Sequence, residues 1–404
     1  MNNFRFRFSV ATVRFTLLLL IPVFIVSCQN DETEVATIDE QIAALGLEAL
    51  PQVNHPIGNP SSSAKIALGR MLFWDPIISG HEDVACATCH HPDFGYSDGL
   101  DLPIGVNGSG LGPNRTENTG GLSLALPIER VPRNSPSVLN TAYNGLTGAG
   151  QYSPESAPMF WDSRMLSLEA QCQGPPGSRS EMRGDECPEE EIFDTIMVRL
   201  AAIPEYVAMF NSAFSGGISA VTRANYAKAI AAFERTIVTN NSPYDRYLRG
   251  NHSALSEQQK EGLLLFFGKA ACNNCHSGPM LSDFNFHALG VPDNPSHPAG
   301  TDKGKDDLYK FRTPTLRNVE ITGPYMHNGM ISTVREAVEF MNEGVSQNTY
   351  VLNGMMDPDM VPVGLTTEEI DAVVSFLESL TDTDFDHTVP QIVLSGLEVG
   401  GNIH

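Results

Sequence analysis

Apolar residues recur at helical spacing along this 404-residue chain, and nowhere do apolar and polar residues alternate over a long run. Ser62 or Ser63 is placed to cap a helix through Ile66, Leu68 and Leu72 toward Trp74, which Asp75-Pro76 closes. Thr222 caps a second helix with Tyr226, Ile230, Phe233 and Ile237 on one face. Ser256-Glu257-Gln258-Gln259 is a capping box opening a third through Leu263, Phe266 and Phe267. Thr366-Thr367-Glu368-Glu369 opens another, with Ile370, Val373, Val374 and Leu377 at i, i+3, i+4, i+7. The predicted fold is all-α, and 27 prolines with 35 glycines set long ordered loops between modest helices.

One apolar stretch has a different meaning. Arg5, Arg7 and Arg14 precede a run from Phe15 to Val26, the charge-then-hydrophobe order of an export signal. The run is shorter than the about 20 residues of a membrane span. It ends Ile25-Val26-Ser27-Cys28, which resembles a bacterial lipobox. Residues 1–27 therefore read as a lipoprotein signal peptide, with Cys28 lipidated, and 28–55 as a tether that begins polar and acidic. Gln29 after Cys28 resembles an outer-membrane sorting signal, so the expected place is the cell envelope, periplasmic or outer membrane. The formal charge of −23 becomes −26 once the three leader arginines are gone. Such a surface argues against nucleic acid and suits a basic partner such as a small cationic cytochrome.

Cys86-Ala87-Thr88-Cys89-His90 and Cys272-Asn273-Asn274-Cys275-His276 carry the chemistry. Cys-x-x-Cys-His is the attachment site of a c-type haem: two thiols take the vinyl groups and the histidine faces iron. A redox dithiol has no need of the histidine, and a zinc site needs further ligands in a second tight cluster. Two copies behind an export signal predict two covalent haems. Each follows a helix, Leu68-Gly69-Arg70-Met71-Leu72-Phe73 and Gly262-Leu263-Leu264-Leu265-Phe266-Phe267, so the unit reads as duplicated. Of seven cysteines, one takes lipid and four take haem; Cys172 and Cys187 are left, and an oxidising compartment predicts their disulfide.

Further motifs resemble a known family. Leu68 through Pro76, Arg133-Asn134-Ser135-Pro136-Ser137-Val138-Leu139-Asn140, Phe160-Trp161-Asp162-Ser163-Arg164, Thr313-Pro314-Thr315-Leu316-Arg317-Asn318-Val319 and Pro324-Tyr325-Met326-His327-Asn328-Gly329 are similar to the bacterial dihaem cytochrome c peroxidases. That superfamily includes the dihaem enzyme of methylamine utilisation, and the resemblance covers roughly residues 56 to 385. It implies two cytochrome c-like domains, a peroxidatic one at 56–238 and an electron-transfer one at 239–390, meeting near residues 238 to 245.

The resemblance also assigns roles. Met341 stands where the peroxidases carry the methionine ligand of the C-terminal haem; Met326 and Met330 are the other candidates, and core filling is the common use of a methionine. The family's displaceable distal histidine on the N-terminal haem has no counterpart: after His90 and His91 the next histidine is His252. An open N-terminal site is expected, with His81 and Tyr96 left as alternative ligands and His91 as a loop or propionate contact. Glu181 matches the acid–base glutamate, Gln171 the glutamine beside it, and Trp161 the tryptophan between the haems. Asn134, with carbonyls of Thr322 and Pro324, matches a calcium site. The expected activity is reduction of hydrogen peroxide by electrons from a small c-type cytochrome. The alternatives are an oxidase of an organic or protein substrate and a plain electron carrier. Homodimers are common in the family.

Overall fold

The computed structural model describes residues 1, 5–9, 36–118, 128–148, 152–352 and 354–404; Cys28 and the leader's apolar run lie outside them. Thr37–His404 form a single compact unit, and Met1–Ala36 another. The helices, among the described residues, are α1 (Ile38–Ala43), α2 (Ser63–Trp74), α3 (Cys86–Cys89), α4 (Leu168–Gln171), α5 (Gly174–Gly177), α6 (Ile192–Ala201), α7 (Pro204–Phe214), α8 (Arg223–Glu234), α9 (Pro243–Leu248), α10 (Glu257–Phe267), α11 (Val334–Glu343) and α12 (Thr367–Glu378). None of them is long and apolar enough to cross a membrane. Ser62, Thr222, Ser256 and Thr366 each accept the backbone N–H three residues on, as the polar pattern predicts. Helix α8 stops at Glu234, so Ile237 packs from the turn beyond it.

The fold is helix-rich but not strictly all-α. Among the described residues three antiparallel ladders, two residues to a strand, pair β1 (Gly108–Ser109) with β2 (Thr116–Glu117), β3 (Pro158–Met159) with β4 (Met165–Leu166), and β5 (Phe286–His287) with β6 (Phe311–Arg312). They pin loops and form no layer.

Duplication extends from the motifs into the packing. A Cβ added to Gly69 of α2 would lie 1.9 Å from the Ala229 carbonyl oxygen of α8 and 2.9 Å from Phe233 Cβ. A Cβ added to Gly262 of α10 would lie 1.9 Å from the Ala372 carbonyl oxygen of α12 and 3.0 Å from Phe376 Cβ. Each half is thus built on a helix pair whose backbones touch at a glycine. Alanine is the better helix former by about 1 kcal/mol, but overpacking costs about 1–3 kcal/mol or more. Gly262→Ala should therefore destabilise the protein by about 2 kcal/mol. Guanidinium unfolding should show this, while Gly58→Ala, where a Cβ meets nothing within 4 Å, should stay near wild type.

Contacts at three boundaries hold the chain together. At residues 238 to 245 the halves meet in a hydrogen-bonded seam: Asn140 Nδ2 and Asn318 Nδ2 both donate to Thr239 Oγ1, at 2.6 and 2.5 Å. The stretch 28–55 is not all tether. From Thr37 it folds onto the C-terminal half, with Ile42 in the core beside Leu263 and Phe266 and the Tyr247 hydroxyl donating to Asp39 at 2.7 Å. Residues beyond 390 wrap the N-terminal half, where the Gly400 N–H donates to the Trp74 carbonyl and the Asn402 N–H to that of Asp83.

Candidate functional site

Both haem motifs face one cavity of about 690 Å³. The first forms α3, where Thr88 Oγ1 accepts the Ala85 N–H at 2.9 Å and donates to the Gly400 carbonyl at 2.7 Å. In both copies the histidine N–H closes on the first cysteine's carbonyl, at 3.0 Å for His90 and 2.8 Å for His276. Each imidazole then spends Nδ1–H on a carbonyl: His90 on Tyr96 at 3.1 Å, His276 on Leu281 at 2.9 Å. That contact leaves Nε2 of each ring free to bind iron. Ser97 and Ser282, the next residues, donate to the carbonyls of Ser135 and Thr313, both at 2.7 Å. The repeat therefore includes the two Pro-containing motifs. Burial pushes His90 down to about 4 and lowers His276 as well, so both rings are neutral, as iron ligation requires. Half-buried thiols and neutral imidazoles on one cavity wall fit two c-type haems.

Glu181 and Gln171 line the cavity with Arg164, Leu168 and Pro175, and Glu181 lies within electrostatic reach of Cys89, the residue before His90. Glu181 sits in a wide turn where the Arg183 and Gly184 N–H groups reach back five residues, to the Ser178 and Arg179 carbonyls. Such i→i+5 turns recur at functional sites. Two glycines press on this turn. A Cβ on Gly80 would lie 1.7 Å from the Arg183 carbonyl oxygen, and one on Gly105 would lie 2.2 Å from that of Glu181. Burial raises the Glu181 pKa, against the opposing pull of the Arg164 charge and the Ser178 hydroxyl. His81 and Tyr96 do not line the cavity. The Tyr96 hydroxyl donates to the Asp386 carbonyl at 2.6 Å, and His81 Nδ1 lies 3.8 Å from Glu186. His91 is a loop contact whose Nδ1 accepts the Asp93 N–H at 3.2 Å.

Met341 and Met326 line the cavity and pack on one apolar cluster with Ile331 and Phe340; Met330 packs there too but does not line the cavity. Trp161 also lines the cavity, its Nε1 donating to the Asn134 carbonyl at 3.0 Å. Arg133 holds this segment, gripping Asp302 through two bonds and Asp162, the residue after Trp161, at 2.8 Å. Asn134, Thr322 and Pro324 share the same wall. Asn134 Nδ2 donates to the Leu100 carbonyl at 2.9 Å, which leaves Oδ1 as the side-chain atom able to meet a cation. Among the described residues no group of three or more His, Cys, Asp or Glu side chains is arranged to hold a metal ion.

The expected disulfide is not formed: Cys172 and Cys187 are both free and buried. Each thiol faces a different helix. Cys172 Sγ lies 3.6 Å from the Ala227 carbonyl oxygen of α8, and Cys187 Sγ lies 3.5 Å from Thr195 Oγ1 of α6. Counting the remaining thiols could not reveal that. Reading the sequence also missed Glu234, a buried side chain that lines the cavity, and Gly80 and Gly105.

Residues 63–253 match the family described as di-haem cytochrome c peroxidase. The chain is 34% identical to cytochrome-c peroxidase IdrP1 of Denitromonas iodatirespirans, over 84% of this chain and 87% of the relative. It is 32% identical to methylamine utilization protein MauG of Methylorubrum extorquens, over 91% and 93%. A crystal structure of a MauG-like protein associated with microbial copper homeostasis superposes with a TM-score of 0.65 at 28% identity, covering 83% of this chain and 94% of that one. With two thiol pairs and two neutral histidines on one cavity, and relatives matching over most of its length, the chain belongs to the di-haem cytochrome c peroxidase family.

Proposed function

We propose that this protein is an exported, lipid-anchored di-haem peroxidase, reducing hydrogen peroxide at the His90 site with electrons received at the His276 site from a small c-type cytochrome. The observation that carries the reading is a half-buried carboxyl, Glu181, facing the same cavity as a neutral, oriented His90. Cys86, Cys89 and His90 would hold one haem, and Cys272, Cys275, His276 and Met341 the other. Bound haem supplies an iron that takes peroxide and a carrier of single electrons. Glu181 takes a proton from one peroxide oxygen and returns it to the departing one, which a carboxylate at raised pKa is suited to do. Gln171, which lines the same cavity, orients peroxide by hydrogen bonding, and Trp161 on that cavity serves as the electron relay. Asn134 Oδ1 with the Thr322 and Pro324 carbonyls would hold one calcium ion, an all-oxygen set suited to a hard cation. Cys28 is the proposed lipid anchor, which sets the enzyme at the cell envelope.

The test is electron flow. Reduced cytochrome should be oxidised stoichiometrically with added peroxide. An oxidase of the methylamine-utilisation kind would leave reduced cytochrome untouched and draw electrons from its own substrate; the absence of a family-type distal histidine between His91 and His252 favours that second reading. Stoichiometry of haem gives a separate check. The Cys86→Ala, Cys89→Ala double variant should retain one covalent haem after acid–acetone extraction, where wild type retains two; loss of both would show that the C-terminal motif attaches nothing.

A further inference from the structure

We infer that Glu234 is a second acid of the His90 pocket, a buried store for one of the two protons that peroxide reduction consumes. This rests on the peroxidase reading above and adds a residue to it.

Glu234 ends α8 and is 5% exposed. It lines the cavity together with Cys86, Gln171, Cys172 and Met182. Its Oε2 is buried without a hydrogen-bond partner. A buried carboxyl left unpaired is costly, and its position, i+4 from Ile230 and i+8 from Tyr226, is one where an apolar side chain would pack. The neighbouring cation does not neutralise it. Arg235 spends Nη1 and Nη2 on Glu169 at 2.7 and 2.8 Å, and Glu169 also takes Asn59 Nδ2 at 2.8 Å. Lys65 Nζ donates in turn to Asn59 Oδ1 at 3.1 Å. The groups facing Glu234 are Tyr226 from α8, Arg235 just beyond its end, Glu169 from α4, and the sulfurs of Cys86 and Cys172. Tyr226 also lacks a partner for its hydroxyl. Burial, the largest influence, pushes Glu234 up to about 8, so it carries a proton at neutral pH.

Reduction of one peroxide breaks the O–O bond and takes two electrons, from two donor cytochromes, and two protons, giving two waters. Glu181 moves a proton from one oxygen to the other and returns to its starting state, so it supplies none of the net two. Glu234 in its acid form supplies one, is left as carboxylate, and regains its proton from solvent before the next turnover.

The test uses the two-haem protein, pre-reduced and mixed with peroxide, in wild type, Glu234→Gln and Glu234→Asp. In wild type an infrared difference spectrum should lose a buried carboxylic-acid C=O band during the single turnover, and the rate should fall as pH rises through about 8. Glu234→Gln should keep the resting haem spectrum, lack that band, and show no alkaline limb. Its turnover should be about tenfold slower, below the 10²–10⁴ of a group acting on the reacting atoms. Glu234→Asp should restore the band and an alkaline limb. A Glu234→Gln protein with the wild-type band and alkaline limb overturns the inference. A wild-type protein that does not reduce peroxide overturns the peroxidase reading itself, so the two failures are distinct.

Discussion

Glu181→Gln is expected to slow peroxide cleavage about 10²–10⁴-fold while leaving the resting absorption spectrum unchanged. The substitution keeps the shape of the side chain within its wide turn and removes the only proton it can exchange. The pH dependence has a definite sign. Glu181 must be ionised to accept the first proton, and burial holds its pKa above the ordinary carboxylate value. The wild-type rate should therefore fall as pH drops through that raised pKa, and Glu181→Gln should show no such acid limb. Stopped-flow mixing with peroxide across pH checks both statements. The same mixing reads the resting state of the site. Tyr96 and His81 are engaged outside the cavity, so the His90 haem should be high-spin when fully oxidised and react without prior reduction. A resting protein that is wholly low-spin, and inert until half-reduced, would falsify the open-site reading.

What could be read from sequence was what local side chains specify. Capping residues located the starts of α2, α8, α10 and α12, because an N-cap hydroxyl bonds only three residues ahead. The haem motifs were legible because thioether chemistry needs two thiols and a histidine within five residues. Features that depend on distant backbone were not. Gly69 and Gly262 read as ordinary helix glycines until the carbonyls of Ala229 and Ala372 are seen against them. The last residues hold the N-terminal half through backbone groups of Gly400 and Asn402, which leave no pattern of side chains to notice. Cys172 and Cys187 satisfied a count, but the helices each thiol faces are set by the fold. Glu234 looks like a solvent-facing helix end, and only burial beside Cys86 gives it a role.

Replacing Met341 should change the His276 haem more than replacing any other methionine of the cavity. Met341 and Met326 both line the wall, so position alone leaves two thioethers competing for one axial place. They differ in how they are held. Met341 projects from α11, a helix opened by a Thr333/Glu336 capping box, and packs, as Met326 does, on the cluster of Ile331, Phe340 and Met360. Met326 lies in a loop at φ 72°, a conformation that a residue with a Cβ adopts at a cost. A ligand for an electron-transfer haem is best fixed on a rigid element, since little rearrangement should accompany each change of charge. Met341→His should abolish the methionine-to-iron charge-transfer band and lower the potential of that haem by on the order of 0.1–0.2 V, a fraction of the about 0.8 V that axial ligands span. Redox titration, followed at each haem's own bands, measures the shift, and the His90 haem should move little. Met341→Leu should also remove the band, whereas Met326→Leu should keep it. The opposite pair of results would transfer the ligand to Met326 and return Met341 to the apolar cluster around Phe340.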